Sequence, residues 1–318
     1  MGKSGGSNRH LHKARNVKDD EFYTLYSTVA DEMEYYKERF RGKTVYLPCD
    51  DADFSNFYKY FKDNFYELGL AELIASNSGR DAKVVRLTDN GGELVEESTV
   101  IGYGDFRSLD VRGLYNDADI IVTNPPFSLF REFINYLYRL GKDYIVMGSN
   151  IAIASLGIWR LYIKGKIRLG GLRGKSTDFK RPDGSIKSVN VSFYTTFDIE
   201  DKLGEVEEEY SSLYEGNEWK YRFYDNYKKV INVDKVADIP RDYGGYMGVP
   251  VTFLDNYNGE ASRFKVYGLM NGTSKGRYVE GVDIIKDLGY DRRAVENKEG
   301  ASQIDGKQTF LRVLIKKR

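Results

Sequence analysis

Asn124-Pro125-Pro126-Phe127 directly follows an apolar run and brings together groups suited to one kind of chemistry. A primary amine on an aromatic ring is a poor nucleophile, because its lone pair is delocalised into the ring. The Asn124 side-chain oxygen and a backbone carbonyl, both acceptors, can bind the two amine hydrogens and draw the nitrogen towards tetrahedral geometry. The lone pair then attacks a methyl donor in line, and no strong base is required. Two consecutive prolines stiffen the loop and carry no N–H, so the carbonyls face a substrate without competition. Phe127 offers an apolar face to a planar base, a contact of about 1–3 kcal/mol. The same four residues also fit a plain strand-terminating turn. Their place at the carboxyl end of a buried strand favours the chemical reading.

Such a loop needs a rigid frame, and the flanking sequence supplies one. Ala118–Thr123 contains Ile120-Ile121-Val122, the fully apolar pattern of a strand covered on both faces. Thr44–Leu47, Leu73–Ala75 and Tyr144–Met147 read as further short strands. Asn90-Gly91, between runs 83–87 and 94–101, signals a hairpin. Residues 20–40, 54–68 and 129–140 carry apolar residues at helical spacing, with Ser27 placed to cap the first. Alternating strands and helices predict an α/β fold with a mostly parallel sheet. Ligands bind beyond the carboxyl ends of such strands, so the segments after Leu47, Ile101 and Thr123 are expected to converge.

Hydrophobic residues make up 41% of the 318 residues and aromatics 14%, enough core-forming surface to exclude wholesale disorder. No run approaches the roughly 18 apolar residues of a membrane span, and residues 1–18 are polar and basic, unlike a secretory signal. One cysteine, Cys49, and two histidines, His10 and His12, leave little for a disulfide or a zinc site, so no metal is expected. The 48 basic residues balance 48 acidic ones, but they are segregated along the chain. The first 18 residues carry five bases and no acid, residues 160–187 hold nine bases against Asp178 and Asp183, and an acidic stretch follows from Glu200 to Glu218. The basic blocks are where a polyanion can sit.

The chain resembles the EcoRI-type adenine-specific DNA methyltransferases, which use S-adenosylmethionine to methylate N6 of adenine. The resemblance runs through Phe22-Tyr23-Thr24, Val45-Tyr46-Leu47-Pro48-Cys49-Asp50-Asp51, Gly104-Asp105-Phe106 and Asn124-Pro125-Pro126-Phe127. It continues through Ser192-Phe193-Tyr194-Thr195, Ile239-Pro240-Arg241-Asp242-Tyr243 and Met247-Gly248-Val249-Pro250. It implies a Rossmann-like class I methyltransferase sheet with helices on both faces, plus a smaller C-terminal α+β target-recognition module. Phe22, Tyr23 and Thr24 would hold the methionine end of the donor, and Pro48, Cys49, Asp50 and Asp51 the loop that wraps it. Asp105, with Phe106 beside it, would accept the donor's adenine amino group. Asn124 would border both ligands; with Pro125, Pro126 and Phe127 it would bind and stack the target adenine, whose other face would meet Phe193 or Tyr194. Arg173, Lys175, Lys180 and Arg181 would neutralise DNA phosphates. Two departures stand out: the loop after the first strand has no glycine, and the second strand runs into Ser76 and Asn77 where relatives place a ribose-binding acid.

The expected organisation is a basic arm over 1–18, a catalytic domain over 19–200 with a DNA-contacting loop at 165–188, an acidic linker over 201–218 and a recognition module over 219–318. Its arginines, Arg222, Arg263, Arg277, Arg292 and Arg293, are candidates for base contacts. The resemblance implies conversion of S-adenosylmethionine to S-adenosylhomocysteine on double-stranded DNA, in the cytoplasm of a bacterial or phage-infected cell, at the nucleoid. A cognate restriction endonuclease fits the same setting without a stable complex, and no membrane partner is implied. Alternatives are methylation of RNA adenine or of protein glutamine, or a catalytically inactive DNA-binding relative.

Overall fold

The fold was obtained as a computed structural model that describes residues 23–172, 176–180, 186–199, 210–255, 257, 262–270, 277–279 and 302–318. The chain divides into two units, residues 1–199 and 200–318.

In the first unit, strands β1 (Tyr23–Thr24), β2 (Thr44–Leu47), β3 (Glu72–Ser76), β4 (Arg80–Asp89) and β5 (Leu94–Tyr103) are joined by β6 (Ile120–Thr123), β7 (Asp143–Ser149), β8 (Arg168–Leu169), β9 (Ser176–Lys180) and β10 (Ile186–Thr195). They form one sheet in the order β1-β9-β10-β7-β6-β2-β3-β4-β5, with β8 also paired to β10. The centre, β7-β6-β2-β3, is parallel, while β4, β5, β8, β9, β10 and β1 pair antiparallel. The sheet is therefore mixed and not mostly parallel: apolar runs mark burial, but the direction of each strand is set by its connection. Asn90, Gly91 and Gly92 close the β4–β5 hairpin, where Asn90 N–H donates to Glu93 O at 2.8 Å.

Helices cover both faces, and strand alternation divides the core between them. Val45, Leu47, Leu73, Ile120, Val122, Ile145 and Met147 pack with Val29 and Met33 of α1 (Tyr26–Met33) and with Phe57 and Phe61 of α2 (Asn56–Asp63). On the opposite face Tyr46 meets Tyr115 of α4 (Arg112–Asp117) at 5.1 Å. Beside it Tyr194 meets Phe130 of α5 (Phe130–Leu140) at 4.9 Å.

Three local expectations change. The single helix over 20–40 becomes β1, α1 and a 3-10 segment, Glu34–Arg39, because Tyr23 and Thr24 pair with Lys180 and Phe179. Leu25, not Ser27, precedes α1, and no side chain caps it. The helix over 54–68 breaks at Asn64 into α2 and α3 (Phe65–Leu68), as Asn64 Nδ2 turns back to Tyr60 O at 2.8 Å. The loop at 165–188 contains β8 and, in β9 and the start of β10, an antiparallel pairing of Ser176–Lys180 with Ile186–Asn190. Its root is anchored by buried Glu32, whose carboxylate accepts the N–H groups of Gly171 (2.8 Å) and Leu172 (2.5 Å) and the Tyr36 hydroxyl (2.6 Å).

The second unit holds a five-stranded sheet, β11 (Val230–Asn232), β12 (Tyr246–Pro250), β15 (Arg312–Lys317), β13 (Phe264–Met270) and β14 (Arg277–Val279), in that order. Among the described residues, only β11 and β12 pair parallel within it. Tyr224, Tyr227, Val230, Met270 and Leu314 form its core. Residues 210–218 of the expected linker belong to this unit: Asp242 accepts the N–H groups of Tyr214 (2.6 Å) and Glu215 (3.0 Å). Among the described residues no helix is long and apolar enough to cross a membrane.

Candidate active site

The carboxyl ends of β2, β3 and β6 meet around a cavity of about 360 Å³. Its walls are Thr24, then Cys49, Asp50 and Asp51 after β2, Phe54–Phe57 at the start of α2, Asn77 and Ser78 after β3, and Asn124–Phe127 after β6. Parallel strands in adjacent positions bring their carboxyl ends to one edge, so three loops far apart in sequence become neighbours.

Each loop is fixed by a small set of polar contacts. Asp51 O accepts the N–H groups of Phe54 (3.1 Å) and Ser55 (2.8 Å), turning the chain into α2. Ser55 caps that helix, accepting from Phe57 N (3.0 Å) and Tyr58 N (3.3 Å) while its own hydroxyl donates to Asp50 Oδ1 at 2.7 Å. The helix N-terminus thereby lies beside a carboxylate, the favourable sign for its dipole. Asn124 Nδ2 donates to Thr24 Oγ1 at 3.3 Å, which sets the amide's nitrogen end and reserves its oxygen as an acceptor. Asn56 Nδ2 donates to Thr24 O at 2.8 Å and so holds β1 against the same wall. After Pro125 and Pro126, the bonds Leu129 N–Pro126 O (2.9 Å) and Phe130 N–Phe127 O (3.3 Å) lead into α5.

Burial tunes two groups here. The Cys49 thiol is pushed up to about 12 by burial and by neighbouring Asp50, so it stays protonated at neutral pH and is no nucleophile. Burial also raises the Asp50 carboxyl to about 6, against the pull of hydrogen bonds from Thr123, Ser55 and the Asn124 backbone. In an unfolded chain this group loses its proton near pH 4. Between about pH 4 and 6 the folded protein retains a proton that the unfolded chain has released, so this group's contribution to stability declines as pH rises and is level above. Relative to Asp50→Asn, the parent is expected to lose ~2 kcal/mol of stability between pH 4 and pH 7. Urea unfolding of both proteins at those two pH values measures the difference.

Of the residues expected from sequence, Thr24, Cys49, Asp50, Asp51, Asn124, Pro125, Pro126 and Phe127 are brought to the cavity. Pro48, directly after β2, is buried. Asp105 lies near enough to Cys49 of the cavity wall to act on its thiol, while its carboxylate folds onto Arg107, accepting from its N–H (2.9 Å), Nε (2.8 Å) and Nη2 (2.6 Å). Those bonds hold Asp105 below its usual carboxylate range. Phe106 is buried, with its ring packed against Phe133 (5.2 Å) and Tyr136 (5.4 Å). Phe193 and Tyr194 are buried as well, with the Phe193 ring 6.4 Å from that of Phe57 and the Tyr194 hydroxyl donating to Ser149 O at 2.9 Å. Neither ring is available to stack on a base, because β10 is covered on both faces. Lys180 lies on β9 opposite Tyr23 and Ile186. Phe22, Arg173, Lys175 and Arg181 lie outside the described residues, as do the arm and Arg292 and Arg293. In the second unit Arg222 is paired with Asp305 at 2.6 Å.

Sequence reasoning missed Phe54, Ser55, Asn56, Phe57, Asn77, Ser78 and Thr123 as parts of the site. Ser55 carried a signal, a serine ahead of an aromatic helical run, and Thr123 another, a lone hydroxyl ending an apolar strand. Among the described residues no group of three or more His, Cys, Asp or Glu side chains is arranged to hold a metal.

Comparison with known proteins places this geometry. A family model described as adenine-specific methyltransferase EcoRI matches residues 10–318. The type II methyltransferase M.EcoRI of Escherichia coli is 36% identical, with 98% of this chain and 97% of the relative aligned. The type II methyltransferase M.MpnI of Mycoplasma pneumoniae is 32% identical, with 97% of this chain and 98% of the relative aligned. Likeness over nearly the whole length, with the Asn-Pro-Pro-Phe loop set on the shared edge of three parallel strands, makes this chain a member of the EcoRI adenine-specific methyltransferase family.

Proposed function

We propose that the protein transfers a methyl group from S-adenosylmethionine to N6 of an adenine extruded from duplex DNA. The observation that carries this reading is the placement of Asn124–Phe127 on the same cavity as the loops after β2 and β3. A donor with ribose hydroxyls fits that cavity: Asn77 Oδ1 is buried in its wall with no hydrogen-bond partner among the described residues, an acceptor awaiting a donor. Asn77 Nδ2 lies 3.5 Å from Asp51 Oδ2, so the amide's other end is occupied and its orientation follows. Asn77 thus stands where relatives were expected to carry an acid.

When bound, the donor supplies an electrophilic methyl on a sulfonium. The protein's own groups then prepare the nitrogen. Asn124 Oδ1 accepts one amine hydrogen and Pro125 O the other, which localises the lone pair, while Phe127 supports the base ring. Thr24 and Asn56 keep Asn124 in register. Phe54 is 71% exposed on the cavity rim, in the turn begun by Asp51, and it covers the donor side. Phe54→Ala is expected to weaken donor binding about tenfold, within the range of base–aromatic stacking. Titration calorimetry measures this, and an unchanged Kd would assign the ring to another partner.

A base inside a duplex must leave the stack before N6 is reachable, at a cost of a few kcal/mol. The basic stretch over 165–188, with Arg173, Lys175, Lys180 and Arg181, binds phosphates and positions the duplex, and the second unit reads its sequence. In this reading the enzyme works on DNA in the bacterial or phage-infected cytoplasm, marking sites that a cognate endonuclease would otherwise cut. Tritiated methyl transfer offered to duplex DNA, RNA and protein together tests the assignment. Label in DNA adenine supports it; label only in RNA or in protein glutamine overturns it.

A further inference from the structure

We infer that Asp50 and Thr123 form a latch that positions Asn124 for methyl transfer, and that Asp50 acts through this join and not by touching the methyl donor. The inference rests on the functional reading above and changes the role that the family resemblance implies for Asp50.

The Asp50 carboxylate is occupied by protein. Thr123 Oγ1 donates to Oδ2 at 2.7 Å and Ser55 Oγ to Oδ1 at 2.7 Å. The backbone N–H of Asn124 donates to the same carboxylate. Asp50 N–H donates to Ser76 O at 3.1 Å. One residue, 6% exposed, therefore ties together the ends of β2, β3 and β6 and the N-terminus of α2. Three internal donors take up three of the carboxylate's roughly four lone-pair sites, so most of its hydrogen-bonding capacity is turned to the protein.

Retaining a charge in such a place is unfavourable, and a well-packed apolar pair of similar shape is often at least as stable. What the polar join adds is geometry. Asn124 is held at its backbone by Asp50 and at its side chain by Thr24, so the plane of its amide is set from both ends. Thr123 is the residue next to it, and its hydroxyl fixes how β6 delivers the loop. Misplacing a reacting group by about 1 Å can cost a hundredfold in rate, so a single lost bond here registers in the chemical step.

The test uses the full chain and single-turnover methyl transfer to duplex DNA, with donor affinity measured separately by calorimetry and folding checked by thermal unfolding. Thr123→Val keeps the shape and removes the hydroxyl; its rate is expected to fall about tenfold, with donor Kd within about twofold of the parent. Thr123→Ser, which restores the hydroxyl, is expected to recover the rate to within about threefold. Asp50→Asn is expected to slow the reaction similarly, and the double variant to be no slower than the slower single by more than about twofold, since both break one join. A Thr123→Val enzyme as fast as the parent overturns the latch, and so does one whose donor affinity drops as much as its rate. A parent enzyme that methylates no duplex overturns the functional reading, and the latch with it. A parent that does so, beside a fully active Thr123→Val, overturns the latch alone.

Discussion

Asn124→Ala is expected to lower the rate of methyl transfer about 10²–10³-fold, the usual loss when one preorganised polar partner of a transition state is removed. Donor affinity is expected to stay within about threefold, because the acceptor acts on the amine and not on the donor. In the proposed mechanism the amide oxygen draws the nitrogen towards tetrahedral geometry, and no neighbour offers a replacement. Pro125 and Pro126 have no N–H to offer and only carbonyls to contribute. The Cys49 thiol stays protonated, and the Asp50 carboxylate is engaged by Ser55 and Thr123. Single-turnover kinetics with labelled donor, beside calorimetric donor binding, give both numbers. A variant that keeps most of its rate would mean the amine is activated elsewhere.

Gly104→Ala is expected to be the most damaging small change away from the catalytic loop. A Cβ on Gly104 would overlap the Asn77 carbonyl oxygen and sit 2.9 Å from both Ala82 Cβ and the Asn77 carbonyl carbon. Two of those atoms are backbone and cannot swing aside, so the chain after β3 must move away from the chain after β5. Gly104 N–H, which donates to Gly79 O at 2.9 Å, would be displaced with it. Overpacking of this kind costs about 1–3 kcal/mol. Because Asn77 lines the cavity, donor binding is expected to weaken alongside stability. Thermal unfolding with and without donor separates the two: the variant should melt lower and gain less from added donor. Equal melting and equal gain would show that the seat of Gly104 on Asn77 is dispensable.

The two effects differ in kind. Asn124 acts through a side chain on the cavity wall, whereas Gly104 acts by the absence of one. Family membership and the diproline loop say which reaction to expect; the contacts around Asp50, Thr123 and Asn77 say how the loops are held to perform it.

The sequence by itself determined whatever depends on neighbours along the chain. Ile120-Ile121-Val122 announces a buried strand because each residue is apolar whichever face it meets, and Asn-Pro-Pro-Phe follows it without a gap. The β4–β5 hairpin and the β2 strand were legible for the same reason, since turn chemistry and apolar runs are local. What the tertiary structure alone decided depends on residues that meet across long separations. Thr24 reaches Asn124 and Asp50 reaches Thr123, and no periodicity in either segment records that register. Phe193 and Tyr194 read equally well as base-stacking rings, until β10 is placed inside the sheet with α2 above one face and α5 below the other. Successive side chains on a strand point to opposite faces, so a strand covered on both sides buries both rings and leaves neither for a ligand.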